Sequence, residues 1–224
     1  MSAAILALDA AAAACSVALW REDSILAHRE LPMARGHAEV LMPLVLETMS
    51  ESGLGFADLA KIAAGIGPGS FTGIRIALAA ARGIGLALNL PVVGIDGFNA
   101  VAATIPRAAM TGRSLLVVID SKRRDLFGQY FNCHGTALGE PLVLDPAEML
   151  ERRPAGPLMV AGDGAGYLPD APDMVRAEAA GRPDARAIAR LAAEGCIGRP
   201  ARPLYLRPPE VTLPGARPSR ERQD

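Results

Sequence analysis

Gly67-Pro68-Gly69-Ser70-Phe71-Thr72-Gly73 holds the densest set of groups in this chain that could do chemistry. Three glycines and a proline specify a tight backbone path, because glycine takes positive φ and proline fixes φ. Thr72 is placed to cap the helix that follows. A glycine-rich turn feeding a helix N-terminus offers unpaired N–H groups, which suit an anion. The same residues also make a plain strand-to-helix turn. The Gly-Lys-Ser/Thr ending of a P-loop is missing, and Ser70 stands where a dinucleotide fingerprint wants its third glycine. Asp9 and Asp120 each close an apolar strand, and with Ser16 they would have to hold any metal–nucleotide. Ala10–Ala14, five alanines, follow Asp9 and offer only backbone N–H groups. Ser121-Lys122-Arg123-Arg124 follow Asp120; those cations suit a phosphate, an acidic partner or a solvated hairpin turn. Ser70 and His37 could be drawn into a hydrolytic triad with an aspartate, but nothing in the sequence brings them together. His28, His37 and His134 lie on separate elements, so no metal site is expected. Glu39 and Glu47 read as rim charges on one helix.

Composition narrows the classes. The 224 residues are 50% hydrophobic and only 4% aromatic, so the core must come from alanine and branched aliphatics. Net charge is -1 with no basic block before the tail, which argues against a main nucleic-acid holder. Cys15, Cys133 and Cys196 are scattered and form no C-x-x-C pair, as expected of a cytoplasmic protein. Asp9 interrupts the apolar N-terminus. Pro68, Arg75 and Arg82 divide the apolar region 62–95, short of the ~20 residues a membrane span needs. No membrane partner is expected.

The elements that must position these residues run in a repeating order. Strands are expected at Ile5–Asp9, Ser16–Trp20 and Ile25–Leu31, then a helix over 37–52 closed by Gly53. A strand at Ile62–Ile66, a helix over 73–89, a strand at Pro91–Ile95 and a helix at Gly97–Ile105 complete the first unit. Past Pro106–Arg113 the order restarts with Leu115–Asp120, Leu126–Asn132 and Pro141–Leu144. A helix at Pro146–Arg152, a strand at Leu158–Ala161, a loose loop at Asp163–Pro183 and a helix at Ala185–Gly195 follow. The β-β-β-α-β-α order thus occurs twice, as a duplication of element order rather than of residues. The expected units are 1–106, a shortened 107–210 and a disordered Pro/Arg-rich tail over 211–224.

A duplicated unit with aspartate closing each first strand resembles the actin/sugar-kinase/Hsp70 superfamily, whose two RNase H-like halves clamp a nucleotide. LALDAAAAACSVAL, GHAEVLMPLV, IGPGSFTGIRIALAAARGIGLAL, VVGIDGFNAVA, VVIDSKRRDLFGQYF and PLYLRPPEV together resemble the TsaB (YeaZ) family. The resemblance implies an α/β fold with mixed sheets and a shortened second half. It also implies a non-catalytic partner of TsaD, the subunit that attaches threonylcarbamoyl to the adenosine beside a tRNA anticodon. Implied partners are the TsaD-type subunit, a TsaE-type ATPase, a second copy of the chain, and tRNA through the complex. The His-x-x-x-His position of TsaD reads IDGFNAVAA here, so no metal is expected. Relatives commonly carry Thr-Ser after the first aspartate, where this chain has alanines. The chain is expected to need no cofactor itself, with ATP possible in the assembled complex. A lone ATPase and a peptidase are the competing readings.

The two helices 37–52 and 73–89 are too apolar to be covered within one unit, so they are expected to form a partner interface. Leu41, Leu44, Val45, Ile74, Leu78, Ala81 and Ile84 would supply its buried area, with Arg75 and Arg82 at its rim.

Overall fold

A computed structural model describes residues 4–177, 181–195 and 198–207. The expected tail over 211–224 lies outside the described residues. Strands β1 (Ala4–Asp9), β2 (Ala14–Arg21) and β3 (Ser24–Pro32) form an antiparallel meander. Helix α1 (His37–Ser52) follows, then β4 (Leu59–Gly65), α2 (Phe71–Leu88), β5 (Val92–Ile95) and α3 (Gly97–Ala102). The second half repeats the pattern with β6 (Ser114–Asp120), β7 (Leu126–Phe131), β8 (Leu142–Leu144), α4 (Pro146–Glu151) and β9 (Leu158–Ala161). Its remaining elements are β10 (Met174–Arg176), α5 (Ala185–Glu194) and β11 (Arg199–Pro200).

The sheet orders make the duplication explicit. One sheet runs β11-β5-β4-β1-β2-β3 and the other β10-β9-β6-β7-β8, each with its first strand central. In both, the first strand pairs antiparallel with the second and parallel with the fourth. These are two RNase H-like halves with mixed sheets, the second built from shorter elements.

Strand alternation assigns each face of the first sheet. Leu6 and Leu8 join Val17, Leu19 and Ile62 beneath α1 and α2, while Ile5 and Ala7 point to the opposite face. There they meet Ala185, Ile188 and Leu191 of α5. With both faces covered, β1 reads as a continuous apolar run rather than an alternating one. α5 and β11 therefore join the first sheet although they follow the second in sequence, so a cut at residue 106 does not separate the packed units. The stretch 163–183, expected as a loose loop, contains β10 and a 3-10 turn at Ala165–Tyr167. Three-residue elements carry too little periodicity to be read in advance. α3 ends at Ala102 rather than Ile105, its last turn closed by the Thr104 hydroxyl donating to the Val101 carbonyl.

The interface expectation needs the largest correction. Leu41, Val45, Ile74, Leu78 and Ala81 are at most 2% exposed and Leu44 is 8% exposed, all within the core beneath α1 and α2. Ile84 is half-buried against that core. These residues pack on the protein's own sheet, not on a partner. Arg75 is spent on Phe71 and Tyr205, and the Arg82 guanidinium donates to the Ala201 carbonyl. The faces turned outward carry instead Met42 and Leu46 on α1, and Ala79, Gly83, Leu86 and Ala87 on α2. α2 is the one described helix whose length and composition would suit a membrane span. Its row Ile74, Ala77, Leu78, Ala81 and Gly85 is core.

The glycine-rich turn is clamped onto the alanine turn after Asp9. The Ser70 amide donates to the Ala11 carbonyl at 2.8 Å, and the Gly97 amide donates to the Gly67 carbonyl at 2.8 Å. Gly67 sits at φ +92°, a region that favours glycine. The helix cap is Ser70, not Thr72: its hydroxyl accepts from the Gly73 amide at 3.1 Å. Thr72 lies exposed in the first turn. A Cβ on Gly73 would fall 1.8 Å from the Ala10 carbonyl oxygen. Alanine ordinarily favours a helix over glycine by ~1 kcal/mol, so the sign of Gly73→Ala is diagnostic. Here the obstacle is backbone, and a loss of about 3 kcal/mol in urea denaturation is expected. A neutral or stabilised variant would show that the two turns separate freely.

Candidate nucleotide cleft

The superfamily cleft would place Asp9 and Asp120 on either side of a metal–nucleotide. Asp9 lies on the α5 side of the first sheet and is only 2% exposed. Its Oδ2 accepts from the Ala11 amide at 3.3 Å, while Oδ1 has no hydrogen-bond partner among the described residues. Gly65 packs directly against it, since a Cβ there would fall 1.9 Å from Oδ1. Burial, chiefly, pushes the Asp9 carboxyl up to about 7; the Ala11 amide offsets part of this and the Asp184 charge adds to it. Ser16 is equally sealed, its hydroxyl accepting from the Ala185 amide at the start of α5 at 3.0 Å. Neither group reaches the cleft surface.

Asp120 does line a cleft of about 460 Å³, together with Lys122, Asp163, Arg182, Asp184 and Arg186. Its carboxylate is already neutralised from within. Lys122 donates from its ammonium at 2.7 Å to one oxygen and from its amide at 2.7 Å to the other, and the Tyr167 hydroxyl lies 3.4 Å away. Burial would raise the Asp120 carboxyl, but the Lys122 bonds outweigh it and hold it below the usual carboxylate range. The bond to Asp120 raises the Lys122 ammonium in turn. A metal ion bound by Asp120 would have to displace an ammonium at contact distance. On the phosphate side, the Ser70 amide is spent on the Ala11 carbonyl and the Gly73 amide on the Ser70 hydroxyl. The donor set does not fit a metal–nucleotide.

The position that would carry paired histidines is structural. Asp96 caps α3, accepting from the Asn99 amide at 2.9 Å and its side-chain amide at 2.8 Å, and Arg199 pairs with it at 3.5 Å. Ser70 spends its hydroxyl on its cap, and His37 opens α1 as a buried residue.

Sequence reading missed one cluster. His28, Glu30 and Asp184 bring potential ligand atoms within 4.8 Å of one another. His28 and Glu30 are two apart on β3 and share its face, but Asp184 arrives from the start of α5, which only the tertiary fold brings near. The carboxylates are held by guanidiniums: Arg182 donates to Glu30 at 2.8 Å and Arg186 grips both Asp184 oxygens at 3.0 and 2.8 Å. Burial lowers the His28 imidazole, with the Asp184 charge opposing, and its Nε2 lies 3.5 Å from Asp184. The cluster is an ion network with its charges matched.

Comparison with known proteins settles the family. A family model for TsaD, tRNA N6-adenosine threonylcarbamoyltransferase, matches residues 25–169. The tRNA threonylcarbamoyladenosine biosynthesis protein TsaB of Escherichia coli is 37% identical over 123 residues, 55% of this chain and 52% of that protein. TsaB of Haemophilus influenzae is 35% identical over 139 residues, 57% of this chain and 58% of that protein. YeaZ from Pseudomonas aeruginosa superposes with a TM-score of 0.78 at 29% identity, covering 91% of this chain and 100% of that one. The chain belongs to the TsaB/YeaZ family. The matched stretch spans about half the length of these curated TsaB relatives, whereas the YeaZ fold is matched along its whole length. In this chain Asp9 is sealed in packing, and Asp120 is paired with Lys122 at the cleft.

Proposed function

We propose that this chain is a non-catalytic subunit of the assembly that attaches a threonylcarbamoyl group to the adenosine beside the anticodon of tRNA. It acts by docking on a TsaD-type catalytic subunit in the cytoplasm and needs no cofactor of its own. The observation that carries this is the outward face of α1 and α2. Leu86 is 86% exposed and Leu46 is 56% exposed. A Cβ on Gly83 would meet nothing within 4 Å, so a partner helix could approach closely there. Exposed apolar patches of this kind mark protein interfaces. A TsaE-type ATPase and tRNA join through the complex, ATP serves there rather than on this chain, and the same face pairs two copies when the partner is absent.

Burying one leucine side chain stabilises a contact by about 1.5–3 kcal/mol, so Leu86→Glu should weaken pairing with a TsaD-type subunit at least ~10-fold. Sedimentation of the two purified chains measures this, with circular dichroism to confirm an unchanged fold. Full association of Leu86→Glu would remove the interface assignment. The competing ATPase reading predicts tight ATP–magnesium binding to the isolated chain by calorimetry, lost in Asp9→Ala. The proposed reading predicts no heat of binding in either protein.

A further inference from the structure

Residues 198–207 cross from one half of the protein to the other. The segment starts on the first sheet, where β11 pairs antiparallel with β5 at the sheet's edge. The Leu204 amide then donates to the Ile66 carbonyl at 2.8 Å. Ala201 and Leu204 pack, half-buried, against the core beneath α1 and α2. Two residues on, Leu206 packs against a different core, the one that holds Ile119, Phe127 and Phe131 of the second sheet. Leu204 and Leu206 thus enter the cores of opposite halves.

Side-chain contacts fasten the crossing at both ends. On α2, Arg82 donates to the Ala201 carbonyl, and the Arg75 Nε donates to the Tyr205 hydroxyl at 2.8 Å. The Tyr205 ring stacks on Phe71 with centroids 5.0 Å apart. On the second half, Arg207 pairs with Asp125, donates to the Ser121 hydroxyl at 3.3 Å and lies 5.2 Å from the Phe127 centroid. Between these anchors the halves stand apart. A cleft of about 480 Å³ has Ser70 and Phe71 on one side, Ser121 and Lys122 on another, and Tyr205 and Leu206 as a further wall. Units of one chain that meet across such a gap move relative to one another unless something holds them. The aspartates that would have held a bridging metal–nucleotide are spent, Asp9 in packing and Asp120 on Lys122. We infer that residues 198–207 are a clasp that locks the two halves at one angle, a task a bridging ligand would otherwise perform. The clasp is a property of the isolated chain and does not depend on the docking proposal.

Pulsed electron–electron resonance on the full chain tests it, with spin labels carried by unnatural amino acids at Thr72 and Glu140. Both positions are exposed, one on each half. The unaltered clasp should give a single narrow distance distribution. Combining Tyr205→Ala with Arg207→Ala removes the outer contacts and leaves Leu204 and Leu206 in place. That pair should broaden the distribution and move it to longer distance by more than its original width, with far-UV circular dichroism unchanged. Leu206→Ala, which withdraws the anchor in the second core, should move it in the same direction. A narrow, unshifted distribution in the Tyr205→Ala/Arg207→Ala chain overturns the clasp, as does a broad distribution when the clasp is intact. Loss of the circular dichroism signal in that chain also overturns it, because the segment would then be holding up one half rather than joining two.

Discussion

Leu78→Glu is expected to unfold this protein, whereas Leu86→Glu, eight residues along the same helix, should leave it folded. Leu78 is 2% exposed and packs beneath α2 with Leu6, Leu8 and Ile74. Replacing it removes its burial, about 2–5 kcal/mol by comparison with other core truncations. It also places a carboxylate among aliphatic side chains, which costs several kcal/mol more or forces protonation. The sum rivals the whole stability of an ordinary domain, roughly 5–15 kcal/mol. Leu86, at 86% exposed, gives up no core contact. Thermal melts of both variants check the contrast, and Ala81→Glu should behave like Leu78→Glu because Ala81 is 0% exposed. A cooperative, near wild-type melt for Leu78→Glu would mean that α2 does not lie on the sheet as described.

The Asp9 contribution to stability should fall as pH rises from 5 through 7, and Asp9→Asn should remove it. The Asp9 carboxyl is raised from 3.8 to about 7, mainly by burial. Between those values the folded chain keeps a proton that the unfolded chain has released. The stabilisation is therefore complete below about 4 and is lost as pH climbs through 7. A difference of about three pK units corresponds to roughly 4 kcal/mol. Asp120 and Asp184 have lowered values, so their contributions are present above the ordinary carboxylate range and are lost as pH falls. They act on the acid side, while His28, lowered by burial, and Asp163, raised by burial, titrate alike in both proteins, so the difference between the two curves isolates Asp9. Asparagine stays neutral throughout and its carbonyl can still accept from the Ala11 amide, which Asp9 Oδ2 now does. Urea midpoints at pH 5, 6, 7 and 8 for both proteins give the comparison. Parallel curves would show that Asp9 ionises with the ease of an exposed carboxylate.

The two variants at Leu78 and Leu86 also mark where sequence reading stopped. The apolar excess of α1 and α2 was legible in the sequence. Which leucine faces inward was not. α2 has apolar or small residues nearly all round, so periodicity leaves its rotation about its own axis undetermined. Contact with β1 and β4 fixes that rotation, putting Leu78 and Ala81 inside and Gly83 and Leu86 outside. The cap shows the same limit at smaller scale. Ser70 and Thr72 are both chemically able to cap, and the clamp of Ser70 onto Ala11 selects between them.

Local chemistry in the sequence determined the elements, their repeated order, the aspartate closing each first strand and the tight turn before α2. Those properties depend on side-chain periodicity, on glycine and proline, and on residues close in the chain. Tertiary structure alone decided that α5 returns to the first sheet and that Asp9 is sealed against Gly65, whereas Lys122 closes Asp120 from only two residues away. Tertiary structure also brought Tyr205 onto Phe71 across 134 residues. Pairings over such distances are set by how the two halves pack, and no short-range pattern encodes them.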